Sequence, residues 1–138
     1  MPSPAELVKL QCHSGEFNWL ATRTGVDLSY YTSLLASALS KHKDWSLELV
    51  HKILRYLAST RDQGIVISCS GSLTDLIAWS DAGFAGTDTK SQSGLVITWG
   101  GSIITWRSSR QSVSTMSTAE AELNAAALAW QIVEGSRF

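Results

Sequence analysis

The stretch that decides the fold is LVITWGGSIITW, residues 95–106. Two runs rich in β-branched and aromatic residues flank a Gly-Gly pair, which is the pattern of two antiparallel strands joined by a two-residue turn. Such turns need positive φ angles, which glycine adopts without steric cost. The stretch therefore predicts a β-hairpin, with strands over Leu95–Trp99 and Ser102–Trp106.

Two further strands are predicted on the N-terminal side of this hairpin. The run Gly64–Cys69 is rich in β-branched residues and stops at a Ser-Gly-Ser turn signal. A second strand, Leu73–Ser80, follows the turn, and Asp81 stands at its end before a glycine-rich segment. With the hairpin, these runs predict a mainly antiparallel meander of three to four strands.

Helical patterns surround the strands. Apolar residues recur at spacings of three and four over Val26–Leu39 and over Asp44–Ser59, with Asp44 as a candidate N-cap. After a polar connector, Arg107–Gln111, a last helix is predicted over Ser117–Val133. We therefore expect an α+β (mixed α/β) protein, in which a helical lead-in precedes the sheet.

Composition limits the classes of function. Of the 138 residues, 44% are hydrophobic and 17% are charged, as in ordinary globular proteins. The net charge of −1 gives no overall basic surface, so contacts with nucleic acid would have to come from a local patch. We expect no membrane span and no signal peptide, and we expect Cys12 and Cys69 to be buried and reduced.

The last predicted helix gives two glutamates different roles. Ser117 is a good N-cap, and Glu120 stands three residues later, where it completes a capping box. Glu122 shares its helix face with Ala126 and Ala129, and a carboxylate on an apolar face is costly unless something compensates it. Glu122 is therefore the functional candidate of the two.

Asp81 is the candidate partner of Glu122. It shares a strand face with Ile77 and Trp79, so we expect its carboxylate to project near the core. A lone aspartate at a strand end is more often a turn former. Paired with Glu122, however, it supplies the hard oxygen ligands that Mg²⁺ prefers.

At this point the chain resembles the ribonuclease H domain of copia-type LTR retrotransposon Pol polyproteins, with the segment that joins this domain to reverse transcriptase. The order and spacing of the matching segments agree along nearly the whole chain. The segments are LATRTGVD (20–27), ILRYLASTRDQG (53–64), WSDAGFAG (79–86), SQSG (91–94), GGSIITWRSSRQ (100–111) and STAEAE (117–122).

The resemblance implies a ribonuclease H-like fold over residues 63–138, preceded by a helical connection segment of reverse transcriptase over residues 1–62. It also implies cleavage of the RNA strand of RNA–DNA hybrids with Mg²⁺ or Mn²⁺. Asp81 falls on the first acidic metal ligand and Glu122 on the second. Arg107 and Arg110 fall in a basic connector that could contact phosphates, although solvated loop charges are an equal alternative.

The implied partners are the RNA–DNA hybrid and the rest of the Pol polyprotein, including reverse transcriptase, and no membrane. We expect a cytoplasmic location, with a virus-like particle or the nucleus as other places.

The sequence also departs from the family's pattern. Gly83 stands where the family usually has an acid, Phe84 where it usually has tryptophan, and Gly25 where it usually has proline. The family's third carboxylate comes on a later strand, beyond Phe138. Because two carboxylates hold Mg²⁺ weakly, we expect a C-terminally truncated domain that cleaves little or nothing by itself.

Two alternatives stay open. The chain could be a non-catalytic remnant that at most binds nucleic acid, through Arg107, Arg110 and the basic side of the second predicted helix (Lys43, His51, Lys52 and Arg55). It could also be a plain α+β scaffold, in which Asp81 forms a turn and Glu122 pairs with a nearby base.

Overall fold

The computed structural model describes residues 3–41, 44–68, 70–85 and 90–135. The chain divides into two compact units, Met1–Ile65 and Val66–Phe138. Within the described residues, the first unit is helical, and the second holds a three-stranded antiparallel sheet and one α-helix. The α+β class predicted from the sequence is confirmed. In the described part of the chain, no helix combines the length and the hydropathy that a membrane span requires.

The first unit contains α1 (Pro4–Arg23), a 3-10 turn (Val26–Leu28), α2 (Ser29–Ser40) and α3 (Ser46–Thr60). The predicted helical lead-in is thus confirmed, although the helix predicted from Val26 begins as the 3-10 turn. The N-cap residue of α3 is Trp45 and not the predicted Asp44.

A capping box starts α1. The Ser3 hydroxyl accepts a hydrogen bond from the Glu6 N–H at 3.3 Å, and the Glu6 carboxylate accepts one from the Ser3 N–H at 2.8 Å. Each bond satisfies a backbone donor that the first helical turn leaves unpaired. At the sequence level, the motif is a serine followed three residues later by a glutamate.

Large apolar side chains form the core of this helical unit. Its buried cluster joins all three helices and the 3-10 turn, and includes Leu10, Phe17, Leu28, Leu35 and Ile53. The predicted burial of Cys12 is wrong, since this residue is exposed on α1, outside the cluster.

The sheet of the second unit is formed by β1 (Leu76–Gly83), β2 (Gln92–Trp99) and β3 (Ser102–Arg110), in the order β1-β2-β3. Both neighbouring pairs are antiparallel. Gly100 and Gly101, with φ of 56° and 87°, make the turn between β2 and β3. The hairpin predicted from LVITWGGSIITW is therefore confirmed, with each strand longer than predicted.

The strand predicted over Gly64–Cys69 is wrong as far as the structure describes it, and Cys69 lies outside the described residues. Residues 64–68 form no strand, and Val66 and Ile67 are 82% and 81% exposed. Their β-branched side chains favour a strand only when a neighbouring strand pairs with them. Instead of pairing with a strand, Ser68 makes a hydrogen bond to the hairpin: the Ser68 N–H donates to the Ser102 hydroxyl at 3.0 Å.

The boundaries of β1 and β3 also differ from those predicted. A turn precedes β1, in which the Asp75 N–H donates to the Ser72 carbonyl at 3.0 Å, so the strand begins at Leu76 and continues past Asp81 to Gly83. The predicted connector Arg107–Gln111 is wrong for its first four residues, which extend β3 as far as Arg110. These residues pair with β2, from Leu95↔Arg107 to Gln92↔Arg110.

The helix α4 (Thr118–Gly135) follows β3 and confirms the last predicted helix. Its buried residues lie four apart, at Ala121, Ala125 and Ala129. The first two contact Ala82 of β1, and Ala129 contacts Leu95 and Ile97 of β2. Small side chains therefore set a close approach between α4 and one face of the sheet.

Candidate functional site

Asp81 lies inside β1, where it pairs with Gly94 of β2. Its side chain is exposed, so the expectation that it projects near the core is wrong. Successive side chains of a strand point to opposite faces. Because Ala82 contacts α4, Asp81 belongs to the other face, which it shares with Trp79, 61% exposed.

Glu122 lies in the second turn of α4 and is half-buried. The face predicted to be apolar is displaced by about one residue, because Ala126 is exposed and Ala121 and Ala125 are buried. The helix carries alanines on nearly every side, so the sequence pattern could not tell which of them meets the sheet. The structure places Glu122 at the border of the buried face.

A single contact brings the two acidic residues to neighbouring positions of the backbone. Ala82 packs against Ala121, Asp81 precedes the first of these alanines, and Glu122 follows the second. The alternation of β1 directs the Asp81 carboxylate away from the face that meets α4. The structure thus brings the two backbone segments together, with Glu122 on the helix at one face of the sheet and the Asp81 side chain on the other face.

The two carboxylates differ from the other described acidic side chains of this unit. Among the described residues, neither the Asp81 side chain nor the Glu122 side chain takes part in a hydrogen bond or an ion pair. Asp75, by contrast, accepts from the Thr74 hydroxyl at 3.3 Å, and Glu120 accepts from a backbone N–H. Asp81 and Glu122 are therefore available to a ligand.

Glu120 has the capping function that the sequence predicted. The Ser117 hydroxyl accepts from the Glu120 N–H at 3.2 Å. The Glu120 carboxylate accepts from the N–H of Met116, one residue before the N-cap, at 2.7 Å. The capping roles of Ser117 and Glu120 are confirmed, but the predicted capping box is not complete, because its second bond comes from the Met116 N–H and not from the Ser117 N–H.

Sequence reasoning missed a buried polar cluster, formed by Ser91, Ser93, Gln111 and Thr115, below the start of α4. All four residues are buried. The hydroxyls of Ser91 and Thr115 are 2.9 Å apart, and the Gln111 amide donates to the Ser93 hydroxyl at 2.9 Å. The sequence signal was present, because three of these residues fall in the segments SQSG and GGSIITWRSSRQ that carry the resemblance.

The predicted basic residues lie in different surroundings. Arg107 is exposed on β3, and Arg110 is half-buried and has an interaction of its own. On α3, His51, Lys52 and Arg55 are exposed, and Lys52 pairs with Glu48 at 2.9 Å. Lys43 lies outside the described residues. Arg107 is therefore the exposed arginine of the predicted pair.

In the described part of the chain, no three histidine, cysteine, aspartate or glutamate side chains are grouped so that they could hold a metal ion. Asp81 and Glu122 stay predicted ligands. The structure adds that their backbone positions are close, because Ala82 contacts Ala121.

Comparison with known proteins identifies relatives among mobile elements. The chain is 33% identical, over 129 residues, to the retrovirus-related Pol polyprotein from transposon RE2 of Arabidopsis thaliana. It is 34% identical over 115 residues to the corresponding polyprotein from transposon RE1 of the same plant. The chain is similar to a segment of transposon Pol polyproteins. These matches cover 92% and 82% of the chain but only 8% of either polyprotein.

A third relative has a size closer to that of the chain. The secreted RxLR effector protein 161 of Plasmopara viticola is 29% identical over 119 residues, which cover 85% of the chain and 83% of the effector. No protein-family model matches the chain, and no solved structure does.

Proposed function

We propose that the chain is a retroelement Pol-derived segment of ribonuclease H type, of the copia class, in which Asp81 and Glu122 bind Mg²⁺ or Mn²⁺. Its substrate would be the RNA strand of an RNA–DNA hybrid. One observation carries the proposal: Asp81 and Glu122, whose carboxylates have no partner among the described residues, directly adjoin the contacting residues Ala82 and Ala121. The similarity to transposon Pol polyproteins supports it along most of the chain.

The residues fit a hard divalent cation. Carboxylate oxygens are the ligands that Mg²⁺ prefers, and Mg²⁺ usually keeps several waters, so a pair of carboxylates is a plausible protein contribution. Asp81 is exposed and Glu122 is half-exposed, which leaves room for those waters. When bound, the cation would polarise a phosphoryl oxygen and lower the pKa of a bound water.

The chain's own contribution is to hold the two ligands on rigid elements. Asp81 lies on a strand that is paired with β2 along its whole length, and Glu122 lies on a helix whose start is fixed by Ser117 and Glu120. Since Glu120 is committed to the cap, Glu122 is the glutamate that remains for the cation. Exposed Arg107 can attract the phosphates of a nucleic acid.

The alternative is a non-catalytic segment that at most binds nucleic acid. The absence of any three-ligand group among the described residues favours weak metal binding, and therefore slow or absent hydrolysis. The chain spans less than a tenth of the length of the transposon polyproteins, so the activity proposed here concerns this segment alone and not a whole polyprotein.

A hybrid cleavage assay tests the proposal. The chain is incubated with an end-labelled RNA–DNA hybrid in Mg²⁺ or Mn²⁺, beside the variants Asp81→Asn and Glu122→Gln. Asp75→Asn is the matched control, because Asp75 is an acidic residue of the same unit with a local partner. We expect hydrolysis to be abolished by the first two substitutions and kept by the third.

Two other outcomes decide against the enzymatic proposal. Hydrolysis that survives both Asp81→Asn and Glu122→Gln contradicts the assignment of these ligands. Salt-dependent binding of the hybrid in a gel shift, without cleavage at any metal concentration, supports the non-catalytic alternative. In that case Arg107→Ala should weaken binding and lower the slope of log affinity against log salt by about one.

A further inference from the structure

The side chain of Gln111 connects three elements of the second unit. It follows β3 directly and is 8% exposed. Its Nε2 donates to the Ser93 hydroxyl of β2 at 2.9 Å and to the Ala121 carbonyl of α4 at 2.8 Å. Its Oε1 lies 3.5 Å from the Nδ2 of Asn124, also on α4. The amide group therefore bridges the start of β2 and the first two turns of the helix.

Backbone and hydroxyl contacts fix the base of this bridge. The Gln111 N–H donates to the Ser91 carbonyl at 2.8 Å, which holds the end of β3 beside the start of β2. The Ser91 hydroxyl lies 2.9 Å from that of Thr115, in the segment that leads to α4. Since Ser91 and Thr115 are fully buried, no solvent competes with this pair.

We propose that Gln111 is a positioning residue, whose amide holds the Glu122-bearing turn of α4 in place against the sheet. Ala121, whose carbonyl Gln111 engages, directly precedes Glu122 and contacts Ala82, which directly follows Asp81. The bridge thus sets the position of one candidate ligand relative to the other. The part of this inference that concerns metal binding rests on the proposed function, and the part that concerns α4 does not.

The physical reason lies in the small side chains at the contact between the N-terminal half of α4 and β1. Alanine side chains bury little surface, so Ala82, Ala121 and Ala125 alone constrain the helix weakly. A buried amide with both donor hydrogens engaged also fixes the direction of approach, because a donor hydrogen of Gln111 is left without an acceptor if the helix shifts. Gln111 therefore supplies the orientation that the alanine contact lacks.

The test compares Gln111→Met with the wild-type chain by residue-level amide hydrogen exchange. Methionine keeps the length and the volume of glutamine and removes both donors. We expect exchange at residues 121–126 to rise about tenfold or more relative to exchange at the β2–β3 hairpin. The inference is overturned if exchange stays unchanged at the start of α4, or if it rises by the same factor throughout the unit.

Ser102→Ala is the matched control. Ser102 is also a buried polar residue, and its hydroxyl bonds to Ser68 at the opposite end of β3. Its loss should raise exchange near the hairpin and leave residues 121–126 unchanged. If Gln111→Met does not fold, Ser93→Ala replaces it, because this change removes only one of the two acceptors. We then expect a smaller rise, about two- to fivefold, at the same positions.

Binding of Mn²⁺ alone provides the second readout. Gln111→Met should weaken Mn²⁺ binding about threefold or more, while Ser102→Ala leaves it unchanged. If the wild-type chain does not bind Mn²⁺, the proposed function fails and the exchange pattern alone decides the role of Gln111. If both variants weaken binding equally, Gln111 is only a contributor to stability and the positioning role is wrong.

Discussion

The two units bury very different side chains. The helical unit has a core of leucine, isoleucine and phenylalanine, whereas in the second unit the buried residues of α4 are alanines, and the contact of its N-terminal half with β1 is made by alanines alone. Since apolar stabilisation scales with buried area, the first unit is stabilised mainly by area. The second relies on close approach and on buried hydrogen bonds. The candidate ligands Asp81 and Glu122 therefore lie in the unit whose backbone is held in position by alanine contacts and by the hydrogen bonds of Gln111.

The largest expected effect comes from removing apolar volume in the helical unit. Ile53, on α3, is 2% exposed within the core cluster. Ile53→Ala should lower the free energy of unfolding by about 2–5 kcal/mol, from lost transfer free energy and from the cavity. Urea denaturation followed by circular dichroism measures this loss. Leu54→Ala, at a neighbouring residue that is 42% exposed, should cost clearly less, and equal costs would contradict the proposed core.

The second effect comes from adding volume to the alanine contact. Ala125 is fully buried against Ala82, so Ala125→Leu should push α4 away from β1 and cost about 1–3 kcal/mol. Ala126, the next residue, is exposed, and Ala126→Leu should be tolerated. Thermal unfolding of both variants provides the comparison. If the two leucine variants are equally stable, the buried face of α4 has been assigned to the wrong residues.

A smaller effect separates the cap from the candidate ligand. Ser117→Ala removes the N-cap acceptor of α4 and should cost about 1 kcal/mol. Glu122→Gln should change stability little, because that carboxylate has no partner among the described residues. The free energies of unfolding of the two variants, measured in the same buffer, test this order. A larger loss for Glu122→Gln would mean that Glu122 has a structural role.

The smallest effect depends on pH and belongs to the helical unit. Hydrogen bonds from the Ser3 backbone and hydroxyl hold the pKa of Glu6 below its usual value of 4.5. Because the folded-state pKa is lowered, this stabilisation is present above the usual pKa and is lost as pH falls through the lowered one. A carboxyl titration by NMR should show the shift in the wild type and a more ordinary pKa in Ser3→Ala. An unchanged pKa in that variant would exclude the Ser3 hydroxyl as a cause and leave the Ser3 backbone N–H, which alanine keeps, as the donor that lowers the pKa.

The sequence predicted those elements whose signals are local. The Gly-Gly hairpin, the last helix and the capping role of Glu120 were confirmed, because turn residues, helical spacing and capping pairs act within a few residues. The strand predicted over 64–69 is wrong in its described residues, 64–68, for the opposite reason. Val66 and Ile67 favour a strand, yet a strand needs a neighbour, and the sequence does not show whether one is available.

The same distinction between local and long-range signals applies to the candidate site. Asp81 and Glu122 could be selected from the sequence, but their surroundings could not. The exposed face of Asp81 depends on which face of β1 meets α4, and this follows from the contact of Ala82 with Ala121. The bridge made by Gln111 depends on residues of three elements, which only the folded chain brings together.

A Mn²⁺ titration followed by amide NMR tests the central claim most directly, that Asp81 and Glu122 bind one divalent cation. The account predicts that paramagnetic broadening reaches residues 80–82 and 121–123 at the same Mn²⁺ concentration. It also predicts that Asp81→Asn or Glu122→Gln removes the broadening at both segments together. Broadening that survives both substitutions, or that only one of them removes, would contradict the claim.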